Sequence, residues 1–227
     1  MNVVALFDRF RTDVADVAAP YLWADDEVWE YIDEAQKMFC RLEGGIPDSR
    51  SDITQIAATE GEEWGDLSPR ILKIRDARRL SDARPVAVLN VEDIPAAAAG
   101  NDYGAPRGLR LDDTQGPVCS FIVGMEKDAV RWVPIPVADD VVALTVYRLP
   151  LEVISGENPA ELEIDEQHHR SLLMWMKHLG YSKQDAETFD KGKAADFENA
   201  FRGYCQQAKE ERERREHKPR VVAYGGL

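Results

Sequence analysis

Residues 25–47 read DDEVWEYIDEAQKMFCRLEGGIP, and this stretch holds both a strong helix signal and its end. Apolar residues recur every three or four positions, at Val28, Trp29, Ile32, Ala35, Phe39 and Leu42. This spacing predicts an amphipathic helix, which the two leading aspartates favour at its N-terminus. The Gly44-Gly45 pair and Pro47 predict its end. The pattern then changes from helical to alternating, so the fold is expected to switch class here.

Helical patterns occur on both sides of this change. A run from Asn2 to Val17 predicts a first helix, stopped by Pro20. Near the other end, a helix is expected to begin at Asp165 or Glu166 and to close at Gly180. A turn through residues 182–190 then leads to a last helix, with apolar residues on one side at Phe197, Phe201, Tyr204, Cys205 and Ala208.

Alternating apolar residues between these helices predict strands at Ile71–Leu80, Pro85–Val91, Ser120–Val123, Ala129–Ile135 and Val141–Leu149. Residues 125–128 and 136–140 are interpreted as hairpin turns. Residues 94–117 are rich in Pro, Ala and Gly and are interpreted as a long excursion between strands. The sequence therefore predicts an α+β fold, in which N- and C-terminal helices form a helical bundle with an inserted antiparallel β-sheet region and an extended C-terminal tail.

Four segments follow from this pattern. Residues 1–48 supply the N-terminal helices of the bundle, and residues 49–155 form the inserted β-rich region with its long loop. Residues 156–208 supply the C-terminal helices, and residues 209–227 form a projecting helix end and a docking tail.

The last of these segments is unusual in its composition. Between Lys209 and Arg220 there are six Lys or Arg and four Glu, with no large apolar residue. The helix therefore continues without a side that it could bury in a monomer. After Pro219 comes a short segment with Val221, Val222 and Tyr224, which is interpreted as an extended strand that docks on a neighbouring protein. A solvated helix end is the alternative interpretation.

Charge and cysteine content exclude several classes of protein. The net charge is −14, and residues 23–66 alone contain thirteen acidic against three basic residues, a net of −10. This balance disfavours a general binder of the DNA backbone. The three cysteines, Cys40, Cys119 and Cys205, have no metal or disulfide spacing and are expected to be buried small residues in a reducing compartment. Without a long apolar run, the chain is expected to be soluble, with no membrane partner.

Motifs for catalysis or cofactor binding are not found in the sequence. The glycines at 100, 104 and 108 lack the context of a nucleotide loop, and Gly-x-Ser-x-Gly does not occur. His168, His169 and His178 lack the spacing of a metal-binding helix, and the first two are expected to lie at an exposed helix start. We therefore predict a protein that is not an enzyme and needs no cofactor or metal.

Three stretches resemble one known family. Residues 22–36 contain several acidic residues followed by Tyr-Ile-Asp-Glu-Ala. Residues 129–150 have the pattern of a strand, a turn with Pro, and a second strand that ends in Arg-Leu-Pro. Residues 166–190 have the pattern of two C-terminal helices. They are similar to the head-to-tail adaptor proteins of short-tailed bacteriophages, also called neck or connector proteins. These stretches are packing patterns and carry no catalytic signature.

The resemblance implies a structural virion protein, assembled in the host cytoplasm, that sits in the neck between capsid and tail. Its partners would be the portal protein, further copies of itself in a dodecameric ring, and a tail nozzle or tail tube protein. The ring would extend the DNA channel and serve tail assembly and genome ejection, with double-stranded DNA passing through unbound.

Two sets of residues are candidates for these tasks. The expected portal-docking residues are Arg212, Arg214, Arg215, Lys218, Arg220, Val221, Val222 and Tyr224. The candidate channel-lining acids lie on the solvated side of the second helix, at Asp26, Glu27, Glu30, Asp33 and Glu34. A negative wall repels DNA phosphates, so the genome would slide past it.

Other functions stay open at this point. Another tail component, such as a nozzle or tail-completion protein, fits the same patterns. A metal-dependent accessory enzyme of nucleic-acid processing is the alternative from a different class, and it would use the acidic helix to bind divalent metal.

Overall fold

The computed structural model describes residues 1–93, 114–184 and 187–216. The helices in these ranges are α1 (Val3–Asp13), α2 (Asp25–Glu43), α3 (Leu172–Ser182) and α4 (Lys191–Glu216). The strands are β1 (Ile46–Asp48), β2 (Gln55–Ala58), β3 (Trp64–Asp66), β4 (Ile71–Arg79), β5 (Ala87–Asn90), β6 (Gln115–Gly116), β7 (Ser120–Val123), β8 (Ala129–Val133), β9 (Ile135–Pro136) and β10 (Asp140–Arg148). The predicted α+β class is confirmed.

The chain divides into two compact units. One comprises Met1–Gly44 together with Pro150–Leu227, and its described part contains the four helices. The other comprises Gly45–Leu149 and contains the strands. The predicted excursion at 94–117 lies outside the described residues up to position 113.

Helix α2 begins and ends close to the predicted positions. The N-terminal cap is Ala24, whose N–H donates to the Glu27 carboxylate at 2.8 Å, and three acidic residues occupy the first turn. The C-terminal cap is Gly44, whose φ of 115° lies in the left-handed region that favours glycine. Both ends are set by local chemistry, which explains why the sequence located them.

Helix α1 is shorter than predicted, since it ends at Asp13 instead of Val17. The cause is Asp16, which is buried and forms an ion pair with Arg11. Its carboxylate also accepts the backbone N–H of Leu22 at 2.9 Å and of Trp23 at 3.3 Å. These bonds hold residues 16–23 in a loop, because a helix through Asp16 would point its carboxylate away from those N–H groups.

In the strand unit, β10 is the central strand of one sheet. It pairs antiparallel with β1 and β2, and with β4 along residues 142–148. A second sheet has the order β3-β8-β7-β5, and β6 pairs with β9. Apolar residues of both sheets share a core that includes Ile56, Phe121, Trp132, Val142 and Leu144.

Two features of the predicted sheet are wrong. The turn at 125–128 does join an antiparallel pair, β7 and β8, but residues 137–139 do not form a hairpin. They carry the chain from β9 to β10, which pairs with earlier strands in the other sheet. The region is also not wholly antiparallel, because β5 pairs parallel with β7 and β6 with β9. Strand partners depend on distant residues, which local alternation does not encode.

Gly180 does not end a helix, which corrects another prediction. Helix α3 continues through it to Ser182. Gly180 instead leaves room for the buried Trp23, whose indole N–H donates to the Gly180 carbonyl at 3.0 Å. A Cβ atom at Gly180 would lie 3.2 Å from that indole nitrogen and 3.3 Å from Phe10.

The cysteine prediction holds for two of three residues. Cys40 and Cys205 are buried, but Cys119 is exposed. It lies one residue before β7, in the short connection that follows β6, between the buried Val118 and Ser120.

Candidate functional site

The end of helix α4 carries three of the predicted docking residues, Arg212, Arg214 and Arg215. Phe201, Cys205 and Ala208 are buried on one side of this helix, as its apolar spacing predicted, while Phe197 and Tyr204 are half-buried. The helix then continues to Glu216 with mostly exposed polar residues. The apolar stripe formed by Phe201, Cys205 and Ala208 therefore ends about two turns before the helix does.

Arg212 is an exception within this polar end, because it is bound to another helix. Its Nη1 lies 3.0 Å from the Glu43 carboxylate, and its Nη2 donates to the Glu43 carbonyl at 2.7 Å. The side chains of Arg212 and Glu43 are 17% and 12% exposed. Glu43 is the last residue of α2, so Arg212 supplies a cation at the negative end of that helix.

Two further observations show how closely Arg212 fits there. A Cβ atom on Gly44 would meet Arg212 Nη2 at 2.2 Å, so a larger residue there would displace the guanidinium, and the φ of 115° favours glycine independently. Burial raises the pKa of Glu43, and the positive charge of Arg212 opposes that rise. The sequence offered no signal for this pair, because the two residues are 169 positions apart.

The other docking candidates divide into two groups. Arg214 and Arg215 are exposed in the last turn of α4, with the Arg214 Nε donating to the Glu210 carbonyl at 3.2 Å. Lys218, Arg220, Val221, Val222 and Tyr224 lie outside the described residues. The final turn of α4 therefore presents two exposed arginines.

The acidic side of α2 is less uniform than predicted. Asp26 and Glu30 are exposed, and Glu34 forms a solvated pair with Arg41 at 3.0 Å. Glu27 is half-buried and lies 2.8 Å from Lys183. The expected solvated side is therefore only partly solvated, and Asp33 departs from it most.

Asp33 is only 8% exposed. Its carboxylate forms an ion pair with Lys37 and accepts the backbone N–H of Ile154 at 3.1 Å. The side chain is turned inward because this bond satisfies a buried backbone donor of the segment that follows residue 150. Asp33 therefore holds the chain together within its own unit.

Asp26 and Glu30 instead face a shallow cleft. The cleft has a volume of about 300 Å³ and is also lined by Trp29 and by residues 154–157, including Glu157. One face of Trp29 is stacked on Phe7 with ring centroids 4.8 Å apart. A Cβ atom at Gly156 would lie 3.1 Å from the indole, so glycine keeps this loop close to the ring.

The predicted exposed start of the histidine helix is wrong. Residues 166–171 form a 3-10 turn before α3, and His168 and His169 are both only 8% exposed. The His168 Nδ1 is hydrogen-bonded to the Tyr204 hydroxyl at 2.9 Å, and burial lowers the pKa of His168. The ring nitrogens of His169 lie 2.7 Å from the Met1 carbonyl and 2.9 Å from the Ile164 carbonyl. Both histidines therefore join distant segments of the helical unit.

Within residues 1–93, 114–184 and 187–216, no three His, Cys, Asp or Glu side chains are grouped so that they could hold a metal ion. Over the same ranges, no helix has both the length and the apolar character needed to cross a membrane.

Comparison with known proteins supplies the family. The sequence profile of the SU10 adaptor protein family matches residues 1–223, which is almost the whole chain. A comparison with individually curated proteins finds no match. The family match covers both units of the fold and confirms the resemblance to phage head-to-tail adaptors that the sequence showed. The chain therefore belongs to the SU10 adaptor protein family and is a structural phage adaptor.

Proposed function

We propose that this protein forms the head-to-tail adaptor ring of a bacteriophage. In this proposal, twelve copies bind beneath the portal, extend the DNA channel and provide the attachment surface for a tail nozzle or tail tube. The family match over residues 1–223 carries the proposal. The dodecameric state rests on the resemblance to short-tailed phage adaptors, and the two surfaces described above suggest how the contacts are made.

The end of α4 supports docking on the portal. Beyond Arg212, which is engaged with Glu43, the helix presents Arg214 and Arg215 to solvent. Residues 217–227 follow, with Lys218 and Arg220 and the apolar Val221, Val222 and Tyr224. Basic residues attract an acidic surface, and an alternating apolar strand can be added to a sheet edge. We therefore assign docking to residues 214–227, while Arg212 attaches the end of α4 to Glu43.

The acidic side of α2 supports passage of DNA without binding. Asp26 and Glu30 are the exposed carboxylates that would line the channel. Glu27 and Glu34 lie beside them, half-buried and paired with Lys183 and Arg41. Asp33 is left out because it is buried. Repulsion between carboxylates and phosphates keeps the duplex from adhering to the wall, whereas a basic wall would hold it by releasing counterions.

Imaging of the protein mixed with the portal of its own phage tests the ring. We expect a twelvefold ring beneath the portal, with residues 217–227 in contact with it. A different location, such as the distal end of a tail, would instead indicate a nozzle or tail-completion protein. A tight dimer that ignores the portal in light scattering would contradict the adaptor ring itself.

A pull-down with the portal tests the docking segment. A chain ending at Glu216 keeps the Arg212 contact, so its loss of portal binding would not reflect unfolding. We expect this truncation, and the pair Arg214→Glu with Arg215→Glu, to lower portal binding at least about tenfold. The control is Lys191→Glu at the exposed beginning of the same helix. Full binding by the truncated chain would refute docking through the tail.

DNA retention tests the acidic wall. We expect assembled rings that carry Asp26→Lys and Glu30→Lys to retain double-stranded DNA at low salt, and wild-type rings to release it. The control makes the same charge change at Glu60 and Glu62, which are exposed in the strand unit. Equal retention by both variants would show that total charge matters and that α2 does not face the channel.

A further inference from the structure

Two strands of the β unit form a fork. At its apex, the Val86 N–H donates to the Ala77 carbonyl at 2.9 Å, and the Arg79 N–H donates to the Arg84 carbonyl at 3.0 Å. Away from this apex the strands take different partners, since β4 pairs with β10 and β5 pairs with β7. The two arms of a hairpin therefore separate into two sheets and leave a groove between them.

Both arms present a strand edge to this groove. Among the described strands, β4 pairs with β10 on one side, so its other backbone edge is unpaired along residues 71–74, which line the groove. On the other arm, the Ala87 N–H donates to the Cys119 carbonyl at 2.9 Å, so by alternation the backbone of Val88 and Asn90 faces the groove. In the described part of the chain, no strand pairs with either edge along the groove.

The groove is apolar at its base. Its volume is about 320 Å³, and its apolar lining comes from Leu67, Ile71, Leu72, Ile74, Val88 and Val123. Leu72 is 40% exposed, which leaves apolar surface open to water. An open strand edge beside apolar surface is what strand addition requires, because main-chain hydrogen bonds supply affinity and alternate side chains enter the apolar base.

Charge around the groove indicates what kind of strand it would accept. On the β4 side of the groove, residues 70–75 contain three basic residues and no acidic one, in a chain whose net charge is −14. Lys73 lines the groove, and Arg75 is exposed next to it. A strand with acidic flanks would be attracted, whereas this chain's own C-terminal tail carries Lys218 and Arg220 and would be repelled.

We propose that the groove between β4 and β5 binds an extended segment of a partner protein, with apolar residues at alternate positions and acidic residues at its flanks. The segment pairs through its backbone with an open edge, places its apolar side chains on Ile71, Ile74 and Val88, and sets one acidic end near Lys73 and Arg75. This acceptor site does not depend on the ring or on the portal.

A synthetic peptide tests the site directly. The probe is an acetylated octapeptide, Asp-Thr-Val-Thr-Val-Thr-Val-Asp, and its matched control has Lys at both ends. We expect the acidic probe to slow amide hydrogen exchange in residues 72–75 and 88–90 of the full chain. Fluorescence anisotropy at low salt should show binding at least about tenfold stronger for the acidic than for the basic peptide.

Variants separate the groove from general charge. We expect Ile74→Asp to abolish binding, while Leu80→Asp, at the exposed turn of the same hairpin, leaves it unchanged. The pair Lys73→Glu with Arg75→Glu should reverse the preference toward the basic peptide while keeping the fold, as judged by circular dichroism. This charge swap keeps the test decisive even if Ile74→Asp weakens folding.

Three results with the peptides would overturn the proposal. They are unchanged amide exchange at saturating acidic probe, equal binding of both peptides, and binding that survives the charge swap without a change in preference. Concentration-dependent self-association that Ile74→Asp abolishes would assign the groove to a second copy of the chain and would also reject a partner strand.

Discussion

Arg212, near the end of α4, caps the C-terminus of α2 by binding both the carboxylate and the backbone carbonyl of Glu43, at 3.0 Å and 2.7 Å. The same arginine was expected from the sequence to project toward the portal. Its contact with Glu43 instead joins the end of α4 to the end of α2 within the helical unit.

Removal of the Arg212 side chain should destabilise the protein in a pH-dependent way. Arg212→Ala leaves the Glu43 carboxylate partly buried without its cation, which we expect to cost about 1–3 kcal/mol at pH 7. Burial already raises the pKa of Glu43 above its ordinary value of 4.5, and loss of the arginine raises it further. An acid whose folded pKa is raised loses stability as pH increases through that range.

The difference between wild type and Arg212→Ala should therefore be small at pH 4.5 and grow toward pH 7. Urea unfolding at several pH values measures it. Arg214→Ala, an exposed neighbour, is the control and should change stability little at any pH. A pH-independent loss in Arg212→Ala would show that Glu43 titrates normally.

Asp48 should contribute to stability in the opposite pH direction. Burial alone would raise its pKa, but hydrogen bonds from the Ser51 hydroxyl, the Arg50 N–H and the Arg148 side chain hold that pKa well below its usual range. A depressed pKa gives stability that is present at neutral pH and lost as pH falls below about 4. We expect Asp48→Asn to cost about 3 kcal/mol at pH 7.

The cost of Asp48→Asn should become smaller when unfolding is measured at a pH low enough to protonate Asp48 in both the folded and the unfolded wild-type protein. The control is Asp52→Asn, an exposed residue in the next turn. Equal effects of the two substitutions at pH 7 would contradict the role assigned to the Asp48 hydrogen bonds.

Two glycines should respond to alanine with opposite signs. A Cβ atom at Gly65 would meet Trp132 Cζ2 at 2.6 Å, and Trp132 is buried in the core of the strand unit, so we expect Gly65→Ala to cost about 1–3 kcal/mol. At Gly203, within α4, a Cβ atom meets nothing within 4 Å, and Gly203→Ala should stabilise by about 0.5–1 kcal/mol. Thermal unfolding of both variants measures these changes. A shift of the melting temperature in the same direction for both variants would contradict the prediction.

His168 should make stability fall in mild acid. Burial lowers its pKa below the ordinary 6.5, and the nearby Arg215 and His169 act in the same direction, against Asp165 and Glu211. The unfolded chain therefore takes up a proton before the folded chain does, and stability decreases as pH falls below 6.5. His168→Gln removes this titration. In urea unfolding, the difference in free energy of unfolding between wild type and His168→Gln should therefore become smaller from pH 7.5 to pH 5.5. A constant difference would contradict this.

Features that depend on neighbouring residues were predictable. The end of α2 at Gly44, the strand at residues 120–123 and the turn at 125–128 follow from periodicity, glycine and turn chemistry within a few positions. The buried stripe of α4 at Phe201, Cys205 and Ala208 follows from helical spacing alone. The family resemblance was also visible, because it rests on such local patterns.

Features that depend on distant partners were not predictable. Asp33 was predicted to be solvated, whereas its carboxylate accepts the backbone N–H of Ile154, 121 residues away in the sequence. Gly180 was predicted to end a helix, whereas in the fold it lies within α3 and its carbonyl accepts the indole N–H of Trp23. The strand order around β10 likewise joins residues that local alternation cannot pair.

The sequence by itself determined the α+β class, the acidic character of α2, the point where the α4 stripe stops and the family, since each is written in composition or in short-range periodicity. The tertiary structure alone decided which charged residues remain available for partners. Arg212 and Asp33 are engaged within the chain, whereas Arg214, Asp26 and Glu30 are exposed. The physical reason is that a side chain's role depends on what the fold brings within hydrogen-bonding distance, and that distance is unrelated to separation along the chain.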